Sequence, residues 1–182
     1  MTNPEKVMKF TEEVISSYYQ GIDAVGQMIE GGMELLDQYR LQQRVIRESL
    51  REKLARIGSL RHKDFDQILL PLLAYQERSE EEVKGLIQGL LRRQRDLTGM
   101  LRRSLRFGLK DDVTRFKNEL VTGLEEMRLV LQRFQKEQGL IQETFQSLEE
   151  TDEPVNTRNF RKVVETLEKA LFGEHLQEKA VV

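Results

Sequence analysis

The sequence predicts an all-α protein, an elongated antiparallel coiled-coil bundle of three long helices followed by a short C-terminal amphipathic helix. Three observations lead there. Apolar residues recur at alternating spacings of three and four, the rhythm of a coiled-coil seam. Only 3 prolines occur in 182 residues, and Gly58 and Gly108 stand between strongly periodic runs. A third of the chain is charged while 7% is aromatic, which suits long solvent-washed helices better than a thick globular core.

The first helix is expected over 4–57. Asn3, Pro4 and Glu5 read as a cap, a first-turn proline and an acid at the positive end of the helix. Ile22, Val25, Ile29, Leu36, Tyr39, Ile46, Leu50 and Ile57 supply its seam, and Gly58 its stop. The second helix is expected over 63–107, with Phe65, Leu69, Leu72, Val83, Leu86, Leu90, Leu97 and Leu101 continuing the rhythm until Gly108. Pro71 should kink it. A polar run, QERSEEE at 76–82, reads either as a restart, with Ser79 and Glu82 at capping-box spacing, or as a solvated turn of one kinked but continuous rod. The surviving heptad phase favours the continuous rod.

The third helix, over 111–150, carries the strongest pattern. Leu120, Met127, Phe134, Ile141 and Leu148 repeat every seven residues, and Leu124, Leu131 and Phe145 form a second series whose missing member is Gln138. Short connections make antiparallel neighbours the expected arrangement. The bundle should occupy 1–153, its longest helix reaching about 75 Å, with a short helix and a frayed tail over 154–182. That last helix places Phe160, Val163, Val164, Leu167 and Leu171 on one face; too short to be stable alone, it should dock on the bundle or on a partner.

Composition narrows function by exclusion. With no Cys and 2 His, the chain has no thiol nucleophile, disulfide framework or multi-histidine metal site. No Gly-rich phosphate loop, nucleophile elbow or HExxH pair occurs. His62 reads as a polar turn residue, and His175, adjacent to Glu174, points to a different side of its helix. Adjacent acid pairs such as Asp111 and Asp112 lie on exposed faces, where the raised pKa of an acid catalyst does not arise. No catalytic residue, cofactor, metal or small-molecule substrate is therefore expected. The first residues lack the apolar core of a secretory signal and no apolar run reaches a membrane span, so a soluble, cytoplasmic protein is expected.

Net charge is −2, with 29 basic and 31 acidic residues, but its distribution is uneven. The balance is −1 over 1–60, +4 over 61–110 and −5 over 111–182. Opposite signs on successive segments suit antiparallel neighbours that attract each other. On a helical wheel Arg92, Arg95, Arg102, Arg103 and Arg106 form one strip opposite the leucine stripe of the second helix. Such a strip is either a solvated or internally paired face, or a site for phosphates of nucleic acid or membrane lipid. Near-neutral total charge and the absence of interleaved aromatics weigh against a dedicated nucleic-acid binder.

Two local features remain. Gly85 and Gly89 stand at GxxxG spacing away from the leucine stripe, which reads either as glycines that the rod tolerates or as close approach by another helix of the chain or by a second copy. The stretch ISSYYQGIDAVGQMIEGGMELL is poor in charge and rich in Gly, Tyr and Met. It suits a helix enclosed in its own bundle, or one face of a partner interface, for which Tyr18, Tyr19, Ile22, Gly26, Met28 and Met33 are the candidates. The expected function is that of a non-enzymatic scaffold, adaptor or assembly factor acting through helix contacts with protein partners, homodimerisation included; attachment to an anionic surface through the arginine strip is the alternative.

Overall fold

The computed structural model describes residues 4–56, 60–107, 110–151 and 155–179. Within them the chain forms four helices in the order α1 (Pro4–Arg56), α2 (His62–Phe107), α3 (Lys110–Glu150) and α4 (Thr157–Lys179). The three long helices begin and end within about a turn of their expected positions. Asn3, Ile57, Gly58, Gly108 and Pro154 lie outside the described residues, as do the side chains of Leu97, Leu101, Arg106 and His175.

Two expectations are refined. α2 is one continuous helix of 46 residues that carries Pro71 in its interior and passes through 76–82 without a restart. Proline removes one main-chain donor, and here the flanking Ile68, Leu69 and Leu72 are all held in the core while Pro71 itself is exposed. α4 continues to Lys179, past the point where periodicity ends, because Glu, Leu, Gln and Lys sustain a helix without an apolar face. Its start is capped: Asn156 accepts the Asn159 N–H at 2.9 Å through Oδ1.

The chain packs as two compact units, Met1–Glu34 with Glu82–Leu131, and Leu35–Glu81 with Gln132–Val182. The division falls inside the three long helices and not at the connection before α4.

In the first unit α1, α2 and α3 bury Val25, Ile29, Val83, Ile87, Leu90, Leu120 and Met127. Tyr18 meets Thr98 and Gly32 meets Ile87, so α2 runs against α1; Gly21 meets Leu120 and Gly32 meets Met127, so α3 runs with α1. Close approach depends on glycine at three places. A Cβ on Gly21 would collide with the Leu120 side chain; one on Gly32 would lie 3.1 Å from Met127 and 3.3 Å from Ile87; one on Gly123 would lie 3.0 Å from Leu90.

The second unit is a four-helix bundle. α4 lies alongside α2 in the same direction, since Phe160 stacks on Phe65 and Phe172 meets Tyr75 edge to face, each with ring centres 5.1 Å apart. Ile46, Leu50 and Leu54 of α1, Leu69 and Leu72 of α2, Ile141 and Phe145 of α3, and Val164 and Leu171 of α4 close around them. α3 has no basic residue in its last turn. Lys53 of α1 supplies the cation, donating to the carbonyls of Glu149 and Thr151 where the helix dipole is negative.

Candidate interaction surface

The seam residues of α1 sort onto two faces. Val25, Ile29, Gly32 and Leu36 are buried, and Tyr18 joins them, its hydroxyl donating to Thr98 Oγ1 at 2.8 Å. Rotated by about 80° around the helix lies a second series, which shares the buried Ile29 with the first face and in which Ile22 and Gly26 are half-buried: Ile15, Tyr19, Ile22, Gly26, Ile29 and Met33. Their spacing is four, three, four, three, four. Tyr19 is 66% exposed and Met33 55%, Ile15 is also exposed, and a Cβ on Gly26 would meet nothing within 4 Å. Of the six candidate interface residues, Tyr19 and Met33 stand exposed on this ridge and Ile22 and Gly26 are half-buried along it. Tyr18 faces Thr98, and Met28 is half-buried on the far side of the core stripe.

On α2 the arginine strip falls where the wheel puts it. Arg92, Arg95, Arg102 and Arg103 are exposed, on the side away from Val83, Ile87 and Leu90; the side chain of Arg106 lies outside the described residues. Arg103 donates to the Gly99 carbonyl of its own helix at 3.3 Å. Among the described residues Arg92, Arg95 and Arg102 form no ion pair. Arg93, which is off the strip, pairs with Glu126 of α3 at 3.4 Å. Gly85 and Gly89 share the outer face, and a Cβ on either would meet nothing within 4 Å, so among the described residues no other helix approaches there. Of the readings of this GxxxG, close approach by another helix of the chain finds no support; such approach occurs at Gly21, Gly32 and Gly123, which face neighbours across the core.

A polar layer interrupts the core of the second unit, and sequence reasoning missed its membership. Glu137 and Gln138 are each 2% exposed. Ser79 Oγ donates to Glu137 Oε2 at 2.9 Å and Arg133 approaches the same carboxylate at 3.6 Å. Gln76 donates to Gln138 Oε1 at 3.2 Å, and Gln43 to the Gln138 carbonyl at 3.4 Å. The signal was present as the missing apolar member of the α3 series and the polar run at 76–82. Those two features face each other.

The second unit also holds a groove of about 280 Å³ between α2 and α4, lined by Asp64, Gln67, Pro71, Arg161, Glu165 and Glu168 among others. Burial, with Glu165 adding to it, raises the pKa of Glu168 above the ordinary carboxylate value. Arg61 is held further into its charged form by its hydrogen bond to Asp64, and Arg40 by its bond to Glu80 at 2.7 Å. His62 opens α2, with Nε2 3.8 Å from Glu52. Among the described residues no three His, Asp or Glu side chains converge to hold a metal ion, and no helix is long and apolar enough to cross a membrane.

Fold and surface together define a class: an all-α protein of three long helices and one short one, with an apolar ridge turned outward on α1. Comparison with known protein families, curated proteins and solved structures finds no match.

Proposed function

We propose that this is a non-enzymatic interaction protein of the cytoplasm, a scaffold, adaptor or assembly factor that works by helix-to-helix contact. One observation carries the reading. The series from Ile15 to Met33 keeps the four-three spacing of a coiled-coil seam, and three of its members, Ile15, Tyr19 and Met33, stand exposed on α1. These three side chains lie outside the core that Val25, Ile29 and Leu36 of α1 help to form. Interfaces are enriched in Tyr and Met, and both stand here at the most exposed positions.

The test replaces Tyr19 and Met33 together by Glu and compares native affinity capture with the unaltered chain. Loss of captured protein, including further copies of the chain, at unchanged far-ultraviolet circular dichroism is the expected result. Identical capture profiles would remove the ridge from consideration.

A second reading has its own support in Arg92, Arg95 and Arg102, which are exposed on α2 and form no ion pair among the described residues. Attachment to an anionic surface predicts cosedimentation with phosphatidylserine vesicles, or a nucleic-acid gel shift, that weakens steeply with salt and disappears in an Arg92→Glu/Arg95→Glu/Arg102→Glu variant.

A further inference from the structure

We propose that the α1 ridge of one copy seats on the arginine-bearing outer face of α2 in a second copy of this chain, so that copies join head to tail. The inference rests on the interaction reading above and names the partner.

The charge beside the ridge decides what can cover it. Between Lys9 and Arg40 every charged residue of α1 is acidic. Asp23, Glu30 and Glu34 are exposed along the ridge and form no ion pair among the described residues. Two copies of α1 laid ridge to ridge would set these carboxylates against each other, and like charges at the flanks of a coiled-coil seam specify against pairing. The occupant must carry cations.

The outer face of α2 supplies them at a matching pitch. Gly85, Gly89, Arg92, Asp96, Gly99 and Arg103 follow one another at four, three, four, three, four, the spacing of the ridge, and both series span the same number of residues, about 27 Å of helix. At Gly85, Gly89 and Gly99 a Cβ would meet nothing within 4 Å, which leaves hollows for side chains the size of Tyr19 and Met33. Arg92, Arg95 and Arg102 are exposed without acidic partners among the described residues, and Asp96 is the one acid in the series. Apolar knobs flanked by acids thus face hollows flanked by bases. Ridge and receiving face differ, so the contact is heterologous and a pair of copies keeps one unused ridge and one unused receiving face; association continues past a dimer until it closes into a ring or extends.

Sedimentation velocity across concentration and salt tests this. The unaltered chain should form species larger than dimers at low ionic strength that dissociate as salt rises. Tyr19→Glu/Met33→Glu and Arg92→Glu/Arg95→Glu should each be monomeric alone. Mixed in equal amounts they should give a dimer and nothing larger, because one intact ridge and one intact receiving face remain. Gly89→Leu, which favours the helix but fills a hollow, should weaken association about tenfold or more at unchanged helicity. An unaltered chain that stays monomeric, an arginine variant that associates normally, or a variant mixture that stays monomeric overturns the proposal. If the monomeric chain instead binds a basic amphipathic helix of another protein through Tyr19 and Met33, head-to-tail pairing is refuted while the interaction reading survives.

Discussion

Truncating Glu137 should destabilise the protein, whereas replacing its neighbour Gln138 by Leu should not, although both side chains are 2% exposed. The Glu137 carboxylate accepts from Ser79 Oγ at 2.9 Å and lies 3.6 Å from Arg133. Glu137→Ala removes the anion and leaves a half-buried guanidinium and a hydroxyl behind. Breaking a buried pair from one side costs roughly 3–5 kcal/mol, and Arg133, whose side chain retains 18% exposure, places this case at the lower end, about 3 kcal/mol. For Gln138 the balance differs. Its carbonyl bond from Gln43 is main-chain and survives substitution, so Gln138→Leu forfeits only the bond from Gln76. That loss is about 1 kcal/mol, against roughly 1.5–3 kcal/mol from burying a leucine side chain. The expected change is between zero and a gain of about 2 kcal/mol. Urea denaturation followed by far-ultraviolet circular dichroism measures both, at unchanged m-value. A cost for Glu137→Ala below about 1 kcal/mol, or for Gln138→Leu above about 2 kcal/mol, would refute the assignment of the layer's energy to the Glu137 carboxylate.

The same denaturation assay checks three further expectations. Phe160→Ala deletes a fully buried ring stacked on Phe65 and should cost about 3–5 kcal/mol, with α4 losing its anchor. Gly85→Ala and Gly89→Ala place a methyl in open space and should each stabilise α2 by up to about 1 kcal/mol; Gly32→Leu drives a side chain into Met127 and Ile87 and should destabilise despite the same gain in helix propensity. Burial raises the pKa of Glu168 in the folded state, so the folded chain holds that proton more tightly than the unfolded one; its contribution is complete below the unfolded-state pKa and is lost as pH rises through the folded value. Glu168→Gln should therefore raise the urea midpoint at neutral pH and leave it unchanged in acid, and equal shifts at both would contradict the assignment.

Period and punctuation made the helices legible. The stripes from Ile22 to Leu50, Phe65 to Leu90 and Leu120 to Phe145 are the buried or half-buried stripes of the structure, and short connections implied their alternating directions. What a single helix does not show is the turn of its neighbour that lies opposite. Gln138 was visible as a gap in a seam, and 76–82 as a polar run, but only the antiparallel register brings Gln76 and Ser79 to Gln138 and Glu137. The same limitation explains the glycines. GxxxG spacing marks Gly85 and Gly89 as one stripe, yet the stripe faces outward, while Gly21, Gly32 and Gly123, with no motif to mark them, meet side chains across the core. Among the candidate interface residues, Tyr18 and Tyr19 are neighbours in sequence and separate by about 100° around the helix, which sends one hydroxyl to Thr98 and the other ring outward.

The two units differ in the means by which they are held together, and that difference suggests a division of labour. The second unit has four helices, a contiguous apolar cluster that includes the fully buried Leu50, Leu54, Leu69, Leu72 and Leu171 and two stacked rings, and a polar layer. In the first, three helices enclose a thinner core, and α1 keeps an apolar ridge outside it. Opening free energy follows the density of buried apolar contacts, and surfaces that bind are drawn from the low end of that scale. Native-state amide exchange should accordingly be slowest around Leu50, Leu72, Ile141 and Val164 and faster around Ile22 and Leu90, with protection in the first unit rising as protein concentration rises, if Ile15, Tyr19 and Met33 are covered by another copy. Uniform protection along α1 would mean that the ridge belongs to a segment as stable as the rest, and concentration-independent exchange would mean that no further copy covers it.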